Sequence, residues 1–227
     1  MAERVSVAVV VTSYNDGRYL DESVGSAVDL VAAAQGPVDV SVMIADDGST
    51  ERRTVEVLER FERRGFPVLW LRHRGPGATR NAAVASTNAD WFIPLDADNR
   101  LRPSMLDQLL SEARRNPNAA AVYGDAMRFG DRTGEWKMGP TDPERLRREN
   151  HIDTCALIRR AAWERVGGYS EKMQLLGVED WDLWLRFLDG GMELAYVAGI
   201  AFEYRVRDDS LINRPEKPTA VGEFVGR

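Results

Sequence analysis

The first half of the chain alternates short apolar runs with segments whose apolar residues recur at helical spacing. The apolar runs fall at residues 5–11, 38–45, 68–71 and 91–95, and each of them predicts a buried strand. Helical periodicity occupies residues 20–31, 55–61 and 78–86, with glycine or proline near the boundaries. Strands that alternate with helices in this way predict an α/β fold with a parallel, doubly wound sheet.

The second half is less regular in its pattern. Helices are predicted over residues 104–115, 161–166 and 178–188, and strands over residues 119–123, 155–158, 194–197 and 202–205. The polar, glycine-bounded segment 130–134 between two apolar stretches predicts a hairpin. We therefore expect one domain with two halves, residues 1–100 and residues 101–207, followed by a tail at residues 208–227.

Polar segments follow the predicted strands of the first half. These segments are residues 12–15, 46–47, 72–80 and 96–98. Right-handed crossovers bring the carboxyl ends of parallel strands to one edge of the sheet. Ligands bind at that edge in open α/β folds, so the four segments predict a single binding crevice.

Asp96 and Asp98 stand on either side of Ala97, directly after the fourth predicted strand. Alternate residues of a strand point the same way, so the two carboxylates are expected side by side. A divalent cation such as Mg2+ or Mn2+ relieves the repulsion between them, because it prefers oxygen ligands and bridges phosphates. The alternative is a solvated junction between strand and turn.

A second acidic group, Glu179 and Asp180, begins a predicted helix, where the helix dipole favours carboxylates. The group predicts a general base that accepts a proton from an attacking hydroxyl, or else a solvated helix terminus. Trp181 and Trp184 follow, and each of them either offers a flat surface for a sugar ring or belongs to the core. Because Trp181 falls on the predicted core face of the helix, we expect Trp184 to be the more exposed of the two.

Composition narrows the classes of partner. The formal net charge of −6 and the pI near 5.1 disfavour nucleic acid as the main partner. Cys155 is the only cysteine, which excludes an intrachain disulfide, and its apolar neighbours predict burial. No apolar stretch approaches the ~20 residues that span a bilayer. We expect a soluble, cytoplasmic protein without a transmembrane segment, and peripheral membrane contact stays open.

Five motifs, in this order, resemble those of family 2 glycosyltransferases. They are VVVTSYN at residues 9–15, DDGST at 46–50, GPGATRNAA at 75–83, DAD at 96–98, and GGY at 167–169 followed by Glu179 and Asp180. The resemblance implies a GT-A fold, with a Rossmann-like, mostly parallel central sheet flanked by helices and a smaller mixed acceptor-side region. It also implies inverting transfer of a sugar from a nucleotide-sugar, UDP-sugars first among them, to an acceptor hydroxyl.

The resemblance also implies roles for individual residues. Tyr14 would lie near the base, and Asp47 would accept a hydrogen bond from it. Asp98 would be the direct ligand of Mn2+ or Mg2+, with Asp96 beside it, and Asp180 would be the catalytic base, with Glu179 next to it. The nucleotide-sugar site would comprise Thr12, Tyr14, Asn15, Asp46, Asp47, Arg80, Asp96 and Arg207, and the acceptor site Trp181 and Trp184.

Arg207 departs from the family pattern, because many relatives carry a metal-ligating histidine at this place. A guanidinium cannot ligate a metal, but it pairs with phosphate, so Arg207 is either a substitute for the lost ligand or a surface charge. Neither His73 nor His151 occupies the position, and His151 precedes an apolar segment, which favours a structural role.

Two other classes of protein remain as alternatives. A nucleotidyltransferase would favour a basic, glycine-rich loop after the first strand, where this chain has Thr12-Ser13-Tyr14-Asn15. A non-catalytic nucleotide-sugar-binding module would be marked by loss of the acids at 96, 98 and 180, which are present. The acceptor is not identified; we expect segments 131–150 and 170–176 to build its pocket, in a monomer or homodimer.

Overall fold

Strands and helices alternate through the first half of the molecule as the sequence pattern predicts. The computed structural model describes residues 4–171 and 177–208. In chain order, the elements in these residues are β1 Val5–Ser13, α1 Leu20–Ala33, β2 Val38–Asp46, α2 Arg52–Arg63, β3 Val68–Trp70, α3 Pro76–Ala85, β4 Trp91–Asp96, β5 Arg100–Leu101, a 3-10 turn Pro103–Met105, α4 Leu106–Arg115, β6 Ala119–Gly130, β7 Gly134–Trp136, α5 Pro143–Arg148, β8 Leu157–Arg159, α6 Arg160–Arg165, α7 Glu179–Asp189 and β9 Glu193–Val206.

All of these strands belong to one sheet, in the order β3-β2-β1-β4-β8-β6-β9-β5, with β7 paired to β6. Strands β1 to β4 run parallel, whereas β8 is antiparallel to both β4 and β6. The predicted parallel sheet is therefore confined to the first half, and the second half extends it as a mixed sheet. Because β8 joins β4 to β6, the two predicted halves share one hydrophobic core.

The central strands β1 and β4 carry the buried core of the first half. Residues 7–11 of β1 are at most 1% exposed, and residues 91–95 of β4 are all buried. Helices cover both faces of a parallel sheet, so its central strands are buried on both sides. For this reason β1 and β4 appear in the sequence as unbroken apolar runs rather than as alternating apolar and polar residues.

Strands β6 and β9 are longer than the sequence pattern predicts. The pattern divides each of them into two short strands, but both are continuous and pair in parallel with shifts of register. Two of the three shifts adjoin Asp125, next to Gly124, where an added Cβ would come within 2.9 Å of the Gly199 carbonyl oxygen. Local irregularity of this kind breaks the apolar alternation without ending the strand.

Helix α7 is buried on more than the single face that its apolar spacing predicts. It contacts β9, α5 and α3. Trp184 is fully buried, and its indole N–H donates to the Ile152 carbonyl at 3.2 Å; the indole of Trp181, also buried, donates to the Leu146 carbonyl. The expectation that Trp184 is exposed is wrong, and both tryptophans are core residues rather than platforms for an acceptor.

The first of the two segments expected to build the acceptor pocket contains a strand and a helix. The predicted hairpin at 130–134 is present as β6 and β7, and α5 forms within the segment 131–150. Residues 172–176 of the second segment lie outside the described residues, as does the tail after residue 208. Within residues 4–171 and 177–208, no helix combines the length and the apolar character that crossing a membrane requires.

Candidate functional site

The carboxyl ends of β1, β2 and β4 meet at one edge of the sheet, as the sequence predicts. Thr12 pairs with Asp96 and Ser13 with Asp46 in the strand register. The Thr12 hydroxyl donates to Asp96 Oδ1 at 3.2 Å, and the backbone N–H of Ala97 donates to the Thr12 carbonyl at 3.0 Å. The acidic segment 96–98 is thus held directly beside the end of β1.

Asp46 and Asn15 close the loop after β2. Asp46 is 1% exposed and accepts hydrogen bonds from the backbone N–H and the hydroxyl of Ser49. Asn15 has a positive φ of 57°, and its side-chain oxygen accepts from the N–H groups of Thr50 and Glu51, at 2.9 Å each. Both side chains therefore hold residues 49–51, which precede α2, in place by hydrogen bonds. The sequence predicted both residues for the nucleotide-sugar site and did not predict this structural role.

Asp47 holds the loop that precedes α3. Its carboxylate accepts from the backbone N–H of Arg74 at 2.8 Å, from that of Gly75 at 2.9 Å, and lies 2.8 Å from Nδ1 of His73. A carboxylate offers about four acceptor positions, so little capacity remains for a base.

Tyr14 and His73 form a partly exposed aromatic surface at this edge of the sheet. Their rings stack with centroids 4.1 Å apart and an interplanar angle of 16°. Tyr14 is 41% exposed, although large apolar side chains are usually covered. The sequence assigned no role to His73, because it lies 59 positions from Tyr14 and no local pattern indicates their contact.

Arg80 joins the segment 96–98 to the start of α7. This residue of α3 is 3% exposed; its guanidinium lies 2.7 Å from Asp96 Oδ1 and also pairs with Glu179. Burial acts to lower the pKa of Arg80, but the carboxylates of Asp96 and Glu179 raise it well above its ordinary value. Arg80, which the resemblance places in the nucleotide-sugar site, is therefore a buried link between the two acidic groups.

The glycine pair Gly167-Gly168 and Tyr169 dock against α3. Asn81 donates from its side-chain nitrogen to the Tyr169 carbonyl and accepts from the Tyr169 N–H, both at 2.8 Å. Gly168 has φ +77°, and a Cβ there would lie 2.7 Å from the Asn81 side-chain oxygen. This motif thus sets the position of the second half relative to Arg80.

Asp98 is held by arginines at its carboxylate and at its backbone carbonyl. Arg207 Nε lies 3.0 Å from Asp98 Oδ2, and the Arg205 side chain donates to the Asp98 carbonyl at 3.0 Å. Arg207 also lies 3.0 Å from Asp16 Oδ1, and its side chain is only 17% exposed, which excludes a merely solvated charge. Burial and the nearby Asp96 raise the pKa of Asp98 to about 7, despite Arg207.

Asp180, the predicted base, is partly buried at the start of α7. Asn150 donates to its Oδ2 at 3.1 Å, and the Trp181 N–H donates to its Oδ1 at 2.7 Å. Burial, and then the charges of Glu179 and Asp153, raise the pKa of Asp180 well above its usual range.

Asp153 is a site residue that sequence reasoning missed. Its Oδ1 accepts from the Cys155 N–H at 2.9 Å, and burial together with the charge of Asp96 raises its pKa to about 7. The charge of Asp153 also helps to raise the pKa of Asp180, so Asp153 is coupled electrostatically to both acidic groups. The sequence signal that could have indicated Asp153 is a carboxylate two residues before the apolar run 155–158.

Profiles of two known families match the chain. One, described as "Glycosyl transferase family 2", covers residues 8–176, and one described as "N-terminal domain of galactosyltransferase" covers residues 145–210. A chondroitin synthase of Escherichia coli is 26% identical over 194 residues, which is 82% of this chain and 27% of that protein.

Solved structures share the fold at low sequence identity. S. aureus TarS 1-349 in complex with UDP has a TM-score of 0.65 at 17% identity, covering 90% of this chain and 61% of that one. The mannosyltransferase PcManGT from Pyrobaculum calidifontis, in complex with GDP-Man and Mn2+, has a TM-score of 0.67 at 16% identity, covering 92% and 59%. The chain spans less than two thirds of the length of each of these three proteins.

Proposed function

The chain belongs to glycosyl transferase family 2, and we propose that it transfers a sugar from a nucleotide-sugar, with UDP as the favoured nucleotide, to an acceptor hydroxyl with inversion at the anomeric carbon. Its fold is the GT-A fold expected from the sequence. One observation carries the proposal: Arg80 pairs with both Asp96 and Glu179, so the acids after β4 and the acids that begin α7 share one site.

The two acidic groups serve different steps of this reaction. Residues 1–100 bind the donor, and residues 101–207 bind the acceptor. Asp180 accepts the proton of the acceptor hydroxyl as that oxygen attacks the anomeric carbon in line with the leaving diphosphate. The raised pKa of Asp180 supports this role, because a carboxylate with a higher pKa is a stronger base.

The residues present fit a divalent cation, Mn2+ or Mg2+, at Asp96 and Asp98. Both supply the carboxylate oxygens that such ions prefer, and the charge of Asp96 adds to the effect of burial in raising the pKa of Asp98. Among residues 4–171 and 177–208, no three His, Cys, Asp or Glu side chains form a metal cluster by themselves. The remaining ligands would come from the diphosphate and water, and the bound ion would stabilise the charge of the leaving group.

The aromatic surface of Tyr14 and His73 supports a stacked nucleobase beside Asp47. UDP is the favoured nucleotide because TarS, which shares the fold, has been solved with UDP. GDP is the next candidate on the same ground, since the mannosyltransferase binds GDP-Man.

Calorimetric titration of UDP and GDP, each with and without Mn2+, tests the donor site. We expect one of the nucleotides to bind the wild type in a Mn2+-dependent manner, and Asp98→Ala to abolish that dependence. Asp107→Ala, which removes an exposed carboxylate of α4, is the matched control and should bind as the wild type does. Folded protein that binds neither nucleotide under any of these conditions would contradict a UDP or GDP donor.

A further inference from the structure

The guanidinium of Arg207 is held between two carboxylates at the donor site. It lies 3.0 Å from Asp98 and 3.0 Å from Asp16, whose side chains are 15% and 25% exposed. It also packs over the ring of Tyr19, 5.0 Å from the ring centroid. These contacts fix a positive charge directly on the carboxylate that the proposed cation would use.

A cation bound to Asp98 alone would meet this guanidinium at close range. Oxygen ligands hold Mg2+ at about 2.1 Å, so the ion would lie a few ångströms from Arg207. Like charges repel more strongly in a partly buried site than in water, because the effective dielectric constant is lower. In the nucleotide-free protein, Arg207 and the cation therefore compete for the same carboxylate.

A nucleoside diphosphate changes this balance in two ways. Its phosphate oxygens are preferred partners of a guanidinium, so they draw Arg207 away from Asp98. They also supply the cation with ligands that the protein side chains lack, and their negative charge offsets both cations.

We propose that Arg207 makes cation binding conditional on the donor: its guanidinium holds Asp98 in the free protein, and the diphosphate releases Asp98 by taking that guanidinium over. The inference rests on the donor site of the proposed function and deepens it. Binding linkage requires the converse as well, so Mn2+ must tighten nucleotide binding by the same factor as the nucleotide tightens Mn2+ binding.

The first test measures Mn2+ binding without nucleotide, from the electron paramagnetic resonance signal of the free ion. Arg207→Gln should bind Mn2+ roughly ten-fold more tightly than the wild type, a coupling of ordinary size. Arg100→Gln is the matched control, because it removes a nearby charge that pairs with Glu203 rather than with the Asp98 carboxylate. It should stay within about two-fold of the wild type, since the Arg100 charge is already paired with Glu22 and Glu203.

The second test repeats the titration with saturating UDP and, separately, GDP. The factor by which the nucleotide tightens Mn2+ binding should be at least about five-fold smaller in Arg207→Gln than in the wild type. Arg207→Met, which keeps the packing on Tyr19 without the charge, serves if Arg207→Gln does not fold. Arg207→Lys keeps the charge and should bind Mn2+ as weakly as the wild type.

Two results overturn the inference: a neutral variant that binds Mn2+ no better than the wild type without nucleotide, or a wild type that binds Mn2+ equally well with and without a bound nucleotide. Failure of both nucleotides to bind any variant would instead contradict the proposed donor. The nucleotide-free comparison would still decide the role of Arg207.

Discussion

Arg80 and Glu179 form an ion pair between α3, in the first half of the chain, and the first residue of α7, in the second. Their side chains are 3% and 8% exposed, so the pair is withdrawn from water. Arg80 also reaches Asp96, which makes it the shared counter-charge of two carboxylates. Loss of one member of such a group leaves uncompensated charge in a buried place.

Arg80→Met should lower the free energy of unfolding by roughly 3–5 kcal/mol, measured by urea denaturation, because Asp96 and Glu179 would lose their common partner. Arg52→Met is the control: it breaks an exposed pair with Glu56, whose members are 92% and 57% exposed, and should have no measurable effect. Equal stability of the two variants would contradict the structural importance of the Arg80 pair.

Asp180→Asn should lower kcat by about 10²-fold or more while the Kd of the donor nucleotide stays unchanged, since a general base contributes about that factor. The measurement is steady-state turnover of the donor sugar, with nucleotide binding measured separately. Asp182 lies two residues further along the same helix and pairs with Arg186, so Asp182→Asn should retain activity. Comparable losses in both variants would indicate damage to α7 rather than removal of a base.

Asp153→Asn should stabilise the protein more at about pH 8 than at about pH 5, by roughly 1–3 kcal/mol. The pKa of Asp153 is raised to about 7 in the folded protein, above its ordinary value, so its contribution to stability is present at low pH and is lost as the pH rises through about 7. Asparagine cannot ionise, and its side-chain oxygen still accepts from Cys155. Urea denaturation at both pH values measures the difference, and a pH-independent effect would contradict the raised pKa.

Tyr14→Ala should weaken binding of the donor nucleotide by roughly 5- to 100-fold, which corresponds to the usual contribution of one base stacked on an aromatic ring. Tyr14→Phe keeps the ring and should bind normally. Trp70→Ala provides a control of equal exposure, 41%, because that indole donates to Glu62 outside the site. Nucleotide binding that is unchanged in Tyr14→Ala would exclude the stacked surface as the base site.

The sequence determined the first half of the fold because its information is local. The apolar runs that became β1 and β4 are buried on both faces. The polar ends of β1, β2 and β4 meet at one edge by the geometry of parallel strands, so Thr12 and Asp96 were predicted together and lie together.

Tertiary packing decided what local pattern cannot express. Trp184 reads as an exposed side chain on a helical wheel, but α7 is covered by three elements and buries it. The contacts of His73 with Tyr14 and of Arg207 with Asp98 join residues that are 59 or more positions apart. Asp153 belongs to none of the five motifs, and its electrostatic coupling to Asp96 arises from the fold. Periodicity reports which face of an element is apolar, whereas the charge, burial and pairing of a site depend on distant segments that only the folded chain brings into contact.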